Sequence, residues 1–103
     1  MAALVQFLLP TRGADGTAID PSLFARIQTH LAKRFGGVTA YVRAPAKGLW
    51  KGPHGAVDND DVVMVEVEVA RLDRDWWTEY RQELAQQFHQ KDILMRAIAI
   101  ERL

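Results

Sequence analysis

The sequence predicts an α+β fold, a ferredoxin-like βαββαβ chain whose four-stranded antiparallel sheet carries two helices on one face. Three observations predict it. Two stretches place apolar residues at helical spacing, one on Leu23, Ile27, Leu31 and Phe35, the other on Trp77, Tyr80, Leu84 and Phe88. Four shorter stretches are apolar or alternate with a period of two. The two kinds follow one another as strand–helix–strand twice over in 103 residues, a length that suits a single domain spanning residues 1–103.

The first strand is read over Ala3–Leu9, with Val5, Phe7 and Leu9 on one side, Leu4, Gln6 and Leu8 on the other, and Pro10 ending it. Gly13, Asp15 and Gly16 mark a turn-rich loop. Asp20 followed by Pro21 starts a helix, because the carboxylate accepts unpaired N–H groups and proline suits the first helical position. Lys33 and Arg34 complement the dipole in the last turn, and Gly36-Gly37 stops the helix. A second strand runs from Val38 to about Arg43. The segment 44–61 is irregular, rich in Gly and Pro, and closes on the acidic run Asp58-Asn59-Asp60-Asp61. Val62–Ala70 is the clearest strand: Val63, Val65, Val67 and Val69 form one face, Met64, Glu66 and Glu68 the other. Asp73 caps the second helix and Asp75 adds charge to its first turn, with Trp76 off the apolar stripe and His89 late in the helix. Ile93–Ile100 is the last strand, in a register the pattern leaves open.

Composition excludes several function classes. Apolar residues are 49% and charged residues 25%, an ordinary globular balance. Thirteen basic residues offset thirteen acidic ones, which argues against nucleic-acid binding driven by bulk charge. No cysteine is present, so disulfides, thiolate metal sites and a cysteine nucleophile are excluded. The apolar run 2–9 is too short for a membrane span and lacks a basic segment before it, so no membrane partner and a cytoplasmic location are expected.

The sheet face away from the helices should carry Gln6, Leu8, Tyr41, Arg43, Met64, Glu66 and Glu68. Its apolar centre at Leu8, Tyr41 and Met64 predicts a homodimer or larger assembly packed sheet on sheet, with Arg43 and Arg96 available to Glu66 and Glu68. Glu66 and Glu68 lie about 7 Å apart along their strand. They read first as members of an ion-pair ladder and second as paired carboxylates for acid–base work. The acidic run lacks the remaining ligands of a calcium loop, and the three histidines share no ligand spacing, so neither a metal nor a cofactor is expected. Ser22, the one serine, sits at a helix start, which argues against a serine triad. Trp50, flanked by Lys51, reads as an interface anchor or a pocket wall, and His54 as a turn residue with a proton-transfer role second. Trp76 and Arg81 complete the ligand or interface candidates.

The chain resembles a family of short bacterial proteins of uncharacterised activity. The strings that carry the likeness are Arg34-Phe35-Gly36-Gly37, Thr39-Ala40-Tyr41, Arg43-Ala44-Pro45-Ala46, Gly48-Leu49-Trp50-Lys51, Asp60-Asp61, Leu72-Asp73-Arg74-Asp75-Trp76-Trp77, Tyr80-Arg81 and Ile100-Glu101-Arg102-Leu103. In topology it is similar to the dimeric α+β barrels, a group that includes cofactor-free monooxygenases and small isomerases. That likeness implies a pocket between sheet and helices, with Trp50, His54, Trp76 and Tyr41 as analogues of its lining. Two functions follow as expectations: a homo-oligomeric domain that binds a small molecule or a partner protein, and a small cofactor-free enzyme acting on a hydrophobic metabolite.

Overall fold

Alternation of burial along the first strand organises the molecule. In the computed structural model, which describes residues 2–36, 39–43 and 62–103, Ala3, Val5, Phe7 and Leu9 are buried while their neighbours are half-buried. The elements are β1 (Ala3–Pro10), α1 (Pro21–Phe35), β2 (Thr39–Arg43), β3 (Val62–Val69), α2 (Arg74–Gln87) and β4 (Met95–Ala99). The fold is α+β. The strands hydrogen-bond in the order β2-β3-β1-β4, every neighbouring pair antiparallel.

Register fixes which residues share a face. Val5 pairs with Val67 on one side and Ala97 on the other; Gln6 pairs with Glu66 and Arg96. The register of β4 is thereby settled: Met95, Ala97 and Ala99 share the helix-side face, Arg96 and Ile98 the opposite one. The helix-side face is the core. Val63, Val65, Val67 and Val69 meet Ile27 and Leu31 from α1 and Trp77, Tyr80 and Leu84 from α2. Phe7 lies 6.3 Å from the Trp77 ring and 6.4 Å from that of Tyr80, and Phe24 meets Phe88 edge-on at 5.4 Å. No polar side chain is buried among the described residues.

The helices begin and end for local reasons. The Ser22 N–H donates to Asp20 Oδ1 at 2.9 Å, and the Trp76 N–H to Asp73 Oδ1 at 3.1 Å. Both expected caps are therefore in place. Gly36 takes the left-handed conformation at φ 83° and donates its N–H to the Ala32 carbonyl, which is why a glycine closes α1.

The end of α2 differs from the expectation. His89 does not sit in the helix but just beyond it, with φ 53°. Its N–H donates to the Gln86 carbonyl and that of Gln90 to Ala85. The last carbonyls are thus satisfied in the pattern that usually recruits glycine at this position. The loop after β1 uses this turn: Arg12 bridges Ala18, and the Ala14 N–H donates to the His89 carbonyl at 3.2 Å. Trp76, off the apolar stripe, keeps part of its surface exposed. It is half-buried and joins the seam between α1 and α2, because its indole closes over Phe35, Trp77 and Tyr80.

Candidate functional site

Two surfaces gather the candidate residues. The first is the sheet face turned away from the helices. Its centre is a polar row running across three strands: the Gln6 amide donates to Glu66 Oε2, and Arg96 Nε donates to Gln6 Oε1 at 3.1 Å. Gln6 thus couples the carboxylate to the guanidinium. Arg96 and Glu66 sit on opposite sides of β1, two strands apart, and the glutamine bridges the gap that direct pairing cannot.

Glu68 is met instead by Arg102, with 3.4 Å between Nη2 and Oε2. The expected ladder therefore takes another form, one carboxylate through Gln6 and the other to a residue beyond β4. Around the row the face is apolar. Met64, expected in an exposed apolar centre, is instead buried at 7% exposed, and Leu4 and Leu8 are half-buried, so the exposed apolar surface of this face lies at Ile98 and Leu94, 44% and 56% exposed. Tyr41 and Arg43 come to this sheet through β2, in register with Met64 and Val62.

The second surface is a cleft of about 210 Å³ between α2 and β4. Val5, Trp77, Met95 and Ala97 line its apolar side, and Arg74, Thr78 and Arg81 stand on α2. The cleft exists because β4 is an edge strand whose helix-side residues beyond Met95 are alanines. α2 covers Val5 and Phe7 but leaves Ala97 and Ala99 exposed. Arg81 is the predicted candidate found here. Its guanidinium stands 3.8 Å from Asp92, at an exposed position.

A third cluster closes the seam between the helices. The Arg34 guanidinium lies 4.4 Å from the centre of the Trp76 ring, and His30 and Tyr80 stack on the same indole at 6.4 Å and 5.0 Å. Burial, with Glu83 nearby, pushes the Tyr80 phenol up to about 12. At exposed positions, backbone and side-chain hydrogen bonds from Ser22 hold Asp20 below the usual carboxylate range, and those from Thr17 do the same for Asp15.

Trp50, Lys51, His54 and the acidic run at Asp58-Asn59-Asp60-Asp61 lie outside the described residues. Among the described residues no group of three or more His, Asp or Glu side chains could hold a metal ion. Also among them, no helix is long and apolar enough to cross a membrane.

The fold is similar to that of a phage SAM lyase in complex with S-methyl-5'-thioadenosine. The TM-score is 0.58 at 13% identity, over 94% of this chain and 80% of the lyase chain. No family model and no curated protein matches the sequence. At that identity the lyase shares an arrangement of strands and helices with this chain, and the site residues must be argued from this chain alone.

Sequence reasoning singled out Glu66, Glu68, Arg81, Arg96 and Trp76. It missed Gln6 as the coupling residue and Arg74 as the companion of Arg81. The signal for Arg74 was present: Arg74, Trp77, Thr78 and Arg81 follow i, i+3, i+4, i+7, which sets them along one side of a helix.

Proposed function

We propose that the chain is a self-associating cytoplasmic domain of the ferredoxin-like plan, paired with a second copy through the open face of its sheet. On this reading it belongs with the short bacterial proteins its sequence resembles. The observation that carries the reading is the make-up of that face. Ile98 and Leu94 remain largely exposed beside Leu4 and Leu8, around a centre bearing both Glu66 and Arg96. A two-fold contact places each copy's patch against the same patch on the other. A face with an acid and a base a short way apart is complementary to itself in that arrangement, and covering the leucines and isoleucine removes apolar surface from water.

The test is the mass in solution. Light scattering or native mass spectrometry at micromolar concentration is expected to give twice the 11.6 kDa chain mass. Ile98→Asp sets a second carboxylate near Glu68 and is expected to shift the population to the monomer while the circular dichroism spectrum is retained. A wild-type monomer under these conditions would overturn the reading.

A second reading is a small cofactor-free enzyme. The likeness of fold to a lyase bound to S-methyl-5'-thioadenosine, together with an open cleft beside α2, favours it. Native mass spectrometry with that nucleoside added separates the two: a retained adduct supports the enzyme reading, and a bare oligomer supports the first.

A further inference from the structure

We propose that the cleft between α2 and β4 binds a small organic carboxylate with an apolar body, its charged end taken by Arg74 and Arg81. The two walls of the cleft differ in chemistry. Val5, Trp77, Met95 and Ala97 offer no charge, while α2 brings two guanidinium groups. Arg74 and Arg81 are seven residues apart and so about 10 Å along the helix axis, on one side of it, with Trp77 between them. Both side chains are long enough to converge on one group.

The charges nearby leave the cleft basic. No carboxylate lines it. Asp73 accepts from the Trp76 N–H at the helix start. Asp92 faces Arg81 across 3.8 Å with its own side chain 70% exposed, and a pair that long and wet is worth little. Arg96 also borders the cleft, but its guanidinium donates to Gln6 on the far face. Thr78 uses its hydroxyl proton on the Arg74 carbonyl, at 2.8 Å. On α2 the charged donors facing a ligand are therefore the guanidinium N–H groups. Their planar fork matches a carboxylate with two parallel hydrogen bonds, and a solvated aspartate at 3.8 Å is readily exchanged for a better-placed acid.

Size narrows the class. A volume of about 210 Å³ lies below the roughly 300–1,000 Å³ of sites for drug-sized ligands. It suits an acid with a single ring or a short branched chain. This site is on the opposite side of the sheet from the proposed dimer contact, so the two stand or fall separately.

The experiment is a titration of the ¹⁵N-labelled protein, followed by amide and indole resonances at constant ionic strength. The probes are benzoate, its neutral counterpart benzyl alcohol, and inorganic phosphate. Benzoate is expected to give saturable shifts at Trp77, Thr78 and Ala97, with benzyl alcohol and phosphate each binding at least tenfold more weakly. Arg81→Gln and Arg74→Gln are expected to weaken benzoate about tenfold with the spectrum otherwise unchanged, and Arg81→Lys to restore part of the loss.

Benzoate shifts that do not saturate, or that are equalled by benzyl alcohol or by phosphate, would overturn the proposal. So would tight benzoate binding that survives both arginine substitutions. Arg34→Gln, on the helix seam, is the control expected to leave benzoate binding unchanged.

Discussion

Tyr80 shows how one side chain can read out the state of the core. Its ring lies against Phe7, Trp76 and Trp77, and only 7% of the residue is exposed. Burial raises the phenol to about 12 from its ordinary value of 10.0, with the charge of Glu83 adding to it. The folded state therefore holds its phenolic proton at a pH where the unfolded chain has released it. The stabilising contribution is complete below pH 10 and is lost as pH rises through 10 towards 12. Unfolding free energies from urea titrations are expected to fall with pH in that window. Tyr80→Phe is expected to remove a part on the order of 1–2 kcal/mol of that fall. An identical slope in the two proteins would show that the phenol is solvated. The same indole that stacks on Tyr80 also carries the Arg34 guanidinium, so the seam between the helices holds a cation over a ring.

At the level of elements, α2 is the informative one. Its start was legible in Asp73 and its stripe in Trp77, Tyr80, Leu84 and Phe88, all four buried. Its end was not. The residue after Phe88 adopts φ 53°, a conformation that costs an L-residue about 1–2 kcal/mol and for which glycine is the usual choice. A histidine there gives no sequence signal. His89→Gly is expected to raise stability by up to about 1 kcal/mol, since the relief of strain is partly offset by the freer unfolded chain. A higher urea midpoint with unchanged slope is the measurement that checks it, and a lower midpoint would mean the imidazole makes contacts that outweigh the strain.

The strands were legible for a plain reason. β1 alternates buried with half-buried residues, and β3 keeps that alternation from Val65 to Val69, as a half-covered sheet requires, with Met64 the exception, buried on the far face. β4 was read too long because an edge strand with alanines and an exposed arginine lacks a strong period of two, and its register depended on pairing with β1. The site was legible where it rested on spacing within one element, as with Arg81. It was illegible where it rested on contact across strands, as with Gln6, whose role depends on Glu66 and Arg96 sixty and ninety positions away.

Over the whole molecule, the order β2-β3-β1-β4 puts the first strand of the chain between the third and the fourth. Every ladder bond β1 makes is thus long-range, to β3 or to β4. The helix-side core depends on the same strand, since Phe7 supplies the ring against which Trp77 and Tyr80 pack. During synthesis at roughly 5–20 residues per second, β1 leaves the ribosome several seconds before β3 can meet it. For that interval Ala-Leu-Val-Gln-Phe-Leu-Leu-Pro is an apolar strand with both edges open. The nascent chain therefore presents to chaperones a segment whose alternate residues the finished fold buries, and Gln6 and Pro10 are the residues in it that discourage pairing with another nascent copy.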